Sequence, residues 1–258
     1  MDFGLTDRRA LVLGGARGIG RGIAGALAAE GVALTIAGRD TAALETAAAE
    51  IGAATGRTPA TQDVDLGKPE SVDALIASVG DLDVLVLNGG GPPAGSALSF
   101  APEVWRAQFE AMVLSPVRIA EAVLPGMRAR GFGRLLMVLS SGVVQPLPNL
   151  GLSNSLRLAL VGWAKTVAAE VAGDGVTVNG IAPGRIQTSR VDSLDAGAAA
   201  KQGKDIEAIR AASRATIPAG RYGTPDEFGA VAAFLASQQA SYVTGSVLRV
   251  DGGLIRSL

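Results

Sequence analysis

The amino-acid sequence predicts an α/β fold: one Rossmann-type domain, 1–258, with a doubly wound parallel sheet flanked by helices on both faces. Three observations point there. Short, nearly continuous apolar runs alternate with alanine-rich segments of helix length, the pattern of strands that meet water on neither face. A glycine-rich turn follows the first run, where such folds keep a phosphate-binding turn. The 258 residues are 48% hydrophobic, enough for a large core, and parallel α/β chains of this length commonly form one domain.

Strands are expected at 9–14 (RALVLG), 33–38 (ALTIAG), 82–88 (LDVLVLN), 134–140 (RLLMVLS), 176–182 (VTVNGIA) and 246–252 (SVLRVDG). Helices are expected at 18–30, 40–52, 68–78, 101–130, 153–172 and 224–237, which carry Ala, Leu, Glu and Arg, mostly strong helix formers. Gly31, Gly52 and Gly173 stand near helix ends and are the expected stops, because glycine takes the left-handed conformation that terminates a helix. Pro116 and Pro125 should kink or split the long fourth helix. Residues 183–222 are polar and rich in glycine and alanine; they read as an irregular, mobile lid over a substrate.

Composition narrows the chemistry. Twenty-three basic against 24 acidic residues leave a net charge of −1, too weak a field to recruit nucleic acid or an anionic membrane. The opening residues lack the basic flank and apolar run of a signal peptide, and no run is long enough to span a bilayer; a soluble cytoplasmic protein is expected. Cysteine and histidine are both absent, which excludes disulfides, thiolate chemistry and imidazole acid–base catalysis and leaves no metal site expected. Hydroxyls, carboxylates, lysine, arginine or a cofactor must do the work. Tyr222 and Tyr242 are the only tyrosines.

The segment LGGARGIG, 13–20, closes the first strand and opens the first helix. Gly14 allows a tight turn, Gly18 and Gly20 allow close approach to a pyrophosphate, and the helix N-terminus offers free N–H groups to the anion. At the end of the second strand, AGRD places Arg39 where an acid would otherwise bind the ribose hydroxyls of NAD. With Arg17 it can clamp a 2′-phosphate, so NADP(H) is expected over NAD(H).

Further segments make the chain resemble the classical short-chain dehydrogenase/reductases over nearly its whole length, most closely their 3-oxoacyl-carrier-protein reductase-like members. They are GGARGIG, QDVDL where the family's third strand ends, LNGGG where the family has Asn-Ala-Gly, LSSG where the family's fifth strand ends, VNGIAPGRIQT and YVTGSVLRVDGG. Singly these residues also read as strand caps, turn serines and loop punctuation; their joint order argues for the family. The resemblance implies that Gly14, Arg17, Gly18, Ile19 and Gly20 hold the cofactor's pyrophosphate end, that Asp63 and Val64 border the adenine, and that Asn88, Gly89 and Gly90 support its ribose side. It also implies that Pro183, Gly184, Ile186 and Thr188 form the nicotinamide end and that the C-terminal segment joins a tetramer interface.

The catalytic positions depart from the family. Its members use a serine with a Y-x-x-x-K pair, whose lysine binds the nicotinamide ribose and lowers the tyrosine pKa from one helical turn away. Aligned on GWAKT, Ser153 stands at the tyrosine position and Arg157 at the lysine position. Ser141, or Ser140 beside it, matches the family serine, and Met112 lies at or near the place of the family's helix asparagine. A serine is a poor acid at neutral pH and an arginine stays protonated. Arg157 can still bind ribose hydroxyls or an oxyanion, and Ser141 and Ser153 can hydrogen-bond a substrate oxygen.

Three functions follow as expectations. The first is an NADP(H)-dependent oxidoreductase for a small carbonyl or alcohol substrate, a 3-oxoacyl-like compound among them, with Ser141, Ser153 and Arg157 in place of Ser-Tyr-Lys. The second is a non-redox enzyme in which Arg157 stabilises an anion, and the third a catalytically silent NADP-binding subunit. Lys201, Lys204, Arg210 and Arg214 of the lid could meet an anionic or carrier-bound acyl group or simply face solvent. Asp192, Asp195 and Glu207 are candidates for a replacement acid.

Overall fold

The computed structural model describes residues 2–257. Its sheet is built from β1 Arg9–Leu13, β2 Ala33–Gly38, β3 Ala60–Asp63, β4 Val84–Leu87, β5 Gly133–Val138, β6 Val176–Pro183 and β7 Val247–Val250. The seven strands lie in the order β3-β2-β1-β4-β5-β6-β7, and every pairing is parallel. The chain order reverses between β1 and β4, the crevice at which such sheets bind ligands.

Six strands follow the apolar runs of the sequence, but β3 does not. Its residues, ATQD, are mostly exposed on an edge strand, so there is no apolar run to betray it. The inner strands alternate between two layers. Leu11, Leu13, Leu85, Leu87, Leu135 and Met137 face one cluster, while Ala10, Val12, Val84, Val86, Leu136 and Val138 face the other. Each fully buried leucine or valine of this kind stabilises the fold by roughly 1.5–3 kcal/mol.

Helices cover both layers, as expected. On one side lie α1 Gly18–Ala29, α2 Thr41–Thr55 and α9 Pro225–Ala236; on the other, α3 Pro69–Ser78, α4 Pro102–Phe109, α5 Ser115–Ala129 and α6 Gly151–Val171. The segment 101–130 is indeed split: residues Glu110–Leu114 form a π-helical turn just ahead of Pro116, which has no N–H to extend a regular ladder. Pro125 sits within α5 without ending it.

Two of the expected helix stops are displaced. Gly31 follows α1 with φ +82° as expected, but α2 runs through Gly52 to Thr55 and ends at left-handed Gly56. A side chain at Gly52 would collide with Thr58, so that glycine serves packing. After α6, Gly173 lies inside a 3₁₀ turn and Gly175 takes the left-handed conformation. The segment 183–222 is also more regular than expected. It contains α7 Ser189–Gln202 and α8 Ile206–Ala215, the second capped by the Asp205 carboxylate on the Glu207 and Ala208 amides. Among the described residues, no helix is long and apolar enough to cross a membrane.

Candidate active site

The site is assembled at the C-terminal ends of β1, β2, β4, β5 and β6. Gly14 has φ +64°, a conformation that penalises any side chain, and a Cβ there would also lie 2.7 Å from Asn88 Nδ2. Asn88, immediately after β4, donates from that nitrogen to the carbonyls of Leu13, 3.0 Å, and Gly14, 3.4 Å. It braces the turn. A Cβ on Gly20 would collide with the Gly14 carbonyl, so the helix can approach the turn only as glycine. No side chain caps the start of α1, which leaves its first N–H groups and its positive dipole end available to an anion. Ile19 packs beside them against the core. Gly89 is half-buried and Gly90 exposed beyond Asn88.

The two arginines expected at the 2′-phosphate have different surroundings. Arg17 pairs with Asp40, and Asp40 also caps α2 by accepting the Ala43 amide at 3.1 Å. The Ala43 amide and then Arg17 hold the Asp40 carboxyl below the usual carboxylate range. Arg39 is exposed and meets no carboxylate among the described residues. Beside it, Asp63 pairs in register with Gly38, and the Val64 amide donates to the Gly38 carbonyl at 3.0 Å. Asp63 is exposed and Val64 is buried, so of the two only Asp63 presents a side chain at this edge.

At the end of β5, Ser140 uses its hydroxyl to accept the Gly142 amide at 3.1 Å. Ser141 is buried and its hydroxyl has no hydrogen-bond partner among the described residues, which makes it the freer of the two serines. Asn154 of α6 bonds both the amide and the carbonyl of Leu147 and packs where a Gly142 side chain would stand. It pins the post-β5 loop to α6. Ser153, also buried and without a partner among the described residues, lies one helical turn before Arg157, so the two share a face.

Arg157 is half-buried and donates from Nη1 to the Val138 carbonyl at 2.6 Å. Burial, and then the like charge of Arg190, push its guanidinium down to about 10. It remains a cation at neutral pH. Met112, expected at or near the place of the family asparagine, is buried in the π-helical turn and brings no polar group.

The β6 end supplies the remaining wall. The Gly184 amide donates to the Val250 carbonyl at 2.9 Å just past Pro183, the last residue of β6. Ile186 is buried and bridges to Gly223. Thr188 caps α7, accepting the Val191 amide, and its Cγ2 would meet a Cβ on Gly18 at 3.1 Å. The two ends of the crevice therefore touch.

None of the candidate replacement acids is free. Asp195 is buried, held by Arg185 Nη1 at 2.8 Å and by the Tyr222 hydroxyl at 2.9 Å; burial and this bond raise the Tyr222 phenol above its ordinary value. Asp192 takes Gln187 and Arg210, and Glu207 pairs with Arg210 and Arg214. Arg210 and Arg214 are thus balanced within the lid, while Lys201 and Lys204 are exposed. Tyr242 is fully exposed.

Two residues at the site were not expected from the sequence: Asn154, and Arg190, whose Nη2 donates to the Pro92 carbonyl at 2.8 Å. Arg190 carried no local signal, because the Pro92 carbonyl it meets lies 98 positions away in the chain.

Comparison with known proteins gives full-length matches. A family model described as enoyl-(acyl carrier protein) reductase matches residues 14–255. The chain is 35% identical over 256 residues to 3-oxoacyl-acyl-carrier-protein reductase of Vibrio cholerae, covering 97% of this chain and 98% of that one. Among solved structures, L-sorbose reductase from Gluconobacter frateurii complexed with NADPH and L-sorbose superposes with a TM-score of 0.93 at 33% identity, covering 100% of both chains. Actinorhodin polyketide ketoreductase with NADPH gives a TM-score of 0.91 at 30% identity, covering 97% of this chain and 98% of that one.

Proposed function

Since the chain belongs to the short-chain dehydrogenase/reductase family of NAD(P)-dependent oxidoreductases, we propose that it is an NADPH-dependent reductase of small carbonyl compounds with a Ser141-Ser153-Arg157 site. One observation carries this reading: two free hydroxyls and a carboxylate-free guanidinium stand at the end of β5 and on one face of α6, beside an intact cofactor turn.

The residues fit NADPH. The uncapped N-terminus of α1 would take the pyrophosphate, exposed Arg39 the 2′-phosphate, exposed Asp63 the adenine edge and Thr188 the nicotinamide carboxamide. The solved reductase and ketoreductase structures named above both carry NADPH, which supports this choice. Bound there, NADPH supplies the hydride. Arg157 holds a ribose hydroxyl and steadies the negative charge that grows on the carbonyl oxygen, using N–H groups not spent on Val138. Ser141 and Ser153 bind that oxygen and pass it a proton drawn from water, each hydroxyl accepting one proton as it gives another. The segment 183–222 covers the substrate. Exposed Phe109, Leu114 and Leu158 on α4, the π-helical turn and α6 support a homo-oligomer.

The test is a titration of purified protein with NADPH and NADH, followed by loss of nicotinamide absorbance with ketones, enones and imines. Turnover that drops in Ser153→Ala and Arg157→Ala supports the reading. Tight NADPH binding with no turnover on any compound sinks it and leaves a silent NADP-binding subunit.

A further inference from the structure

We infer that the substrate is an oxoacid: Arg190 holds its carboxylate while Arg157, Ser141 and Ser153 receive its carbonyl oxygen. This rests on the reductase reading of the same site. Two guanidinium groups are fixed beside the crevice, one at the end of β5 and the other in the loop that follows β4. Arg157 is tied to the carbonyl of Val138, the last residue of β5; Arg190 is tied to the carbonyl of Pro92, in the loop that follows β4. Strands β4 and β5 are neighbours, with Leu87 opposite Met137, and a Cβ on Gly91 would lie 3.2 Å from Arg190 Nε and Nη2. Arg190 therefore reaches from the start of α7 across to the β4 loop.

Both cations are anchored by neutral oxygens. Arg190 meets no carboxylate among the described residues, nor does Arg157, whereas neighbouring Arg185 and Arg210 are paired with Asp195 and Asp192. The two are near enough for Arg190 to disfavour the charge on Arg157. A site of two uncompensated guanidinium groups and two hydroxyls, with no acid in it, is matched by a ligand bearing one carboxylate and one carbonyl. Arginine's planar fork suits the carboxylate in a bidentate way. One N–H group of Arg190 is spent on Pro92, which leaves others for the ligand.

The same chemistry could instead serve the cofactor's phosphates, and the experiment separates the two. Protein saturated with NADP⁺ is titrated calorimetrically with 2-, 3- and 4-oxoacids and with their methyl esters, and NADPH affinity is measured separately. At least one acid should bind tenfold or more tightly than its ester. Arg190→Gln should remove that difference and Arg190→Lys restore part of it, with the NADPH Kd within about twofold of wild type. Equal binding of acid and ester, or binding of no acid, overturns the proposal. So does an NADPH Kd raised tenfold or more in Arg190→Gln, which would give the guanidinium to the cofactor. Selective acid binding without any hydride transfer would uphold the carboxylate site and overturn the reductase reading instead.

Discussion

Arg157 is fixed to the Val138 carbonyl, 2.6 Å from its Nη1, so a helix side chain is registered against the end of a strand. That bond orients the fork and leaves the remaining N–H groups toward the crevice. A hydrogen bond to a charged group contributes about 1.5–3 kcal/mol, so Arg157→Ala should raise the NADPH Kd by at least about tenfold. The pH dependence has a definite sign. Only the protonated guanidinium binds, and burial pushes its pKa down to about 10, so its contribution is full at neutral pH and declines as pH rises through about 10. Fluorescence titrations across that range should show the wild-type affinity converging on that of Arg157→Ala; parallel curves would remove Arg157 from the cofactor site.

Arg39 and Arg17 differ in what already holds them. Arg17 is neutralised by Asp40, whereas Arg39 is exposed beside the β2 end. Arg39→Ala should therefore weaken NADPH binding by about ten- to a hundredfold, the size of one charge-assisted interaction, and leave NADH nearly unchanged. Arg17→Ala should cost NADPH less. The ratio of the two cofactor affinities in each variant checks this, and equal losses for NADPH and NADH would place Arg39 away from the 2′-phosphate.

The capping box at α9 makes one contribution to stability depend on pH. Glu227 accepts the Thr224 amide at 2.8 Å and two N–H groups of Arg221; Arg221 first, then the Thr224 amide, hold its carboxyl down to about 2 from an ordinary 4.5. A depressed carboxylate stabilises above its unfolded pKa and loses that contribution as pH falls toward its folded one. The Tm advantage of wild type over Glu227→Gln should be constant above pH 4.5 and vanish toward pH 2. Because Pro225 and Gly229 pack against Gly22 of the cofactor helix, loosening α9 should also weaken NADPH binding, a second readout of the same variant.

The inner strands were legible because burial on two faces writes itself into the sequence as valine and leucine. Edge strand β3 was not, since ATQD is exposed and a sheet edge asks little of its side chains. The lid helices were concealed by a polar composition and two glycines, Gly197 and Gly203, although Asp205 is an ordinary N-cap residue and marked α8. At the site, the family resemblance carried by GWAKT and LSSG singled out Ser141, Ser153 and Arg157 as candidates. Pairings between distant segments lay beyond such reading: Asp40 with Arg17 and Tyr222 with Asp195 join residues that are 23 and 27 positions apart. Which charges stay free depends on those pairings, so Arg190 emerged only in three dimensions.

The proton donor offers the sharpest test of how the site works. Ser153 and Arg157 share one face of α6, a turn apart, and the Ser153 hydroxyl is unpartnered among the described residues. In the double variant Ser153→Tyr/Arg157→Lys, an ammonium would lie one turn from a phenol and lower its pKa, giving the carbonyl oxygen a direct general acid in place of relayed water. A positioned acid contributes about 10²–10⁴-fold to rate. Ser153 is buried, 7% exposed, so the ring must extend toward the crevice, and Ser153→Phe/Arg157→Lys controls for bulk. If hydride delivery is intact and proton transfer limits turnover, kcat of the tyrosine variant should rise by about two orders of magnitude or more, the phenylalanine variant should not gain, and a solvent deuterium isotope effect on the wild-type rate should shrink in the tyrosine variant. Unchanged kcat with an unchanged isotope effect would mean that the two serines already deliver the proton as fast as the hydride arrives.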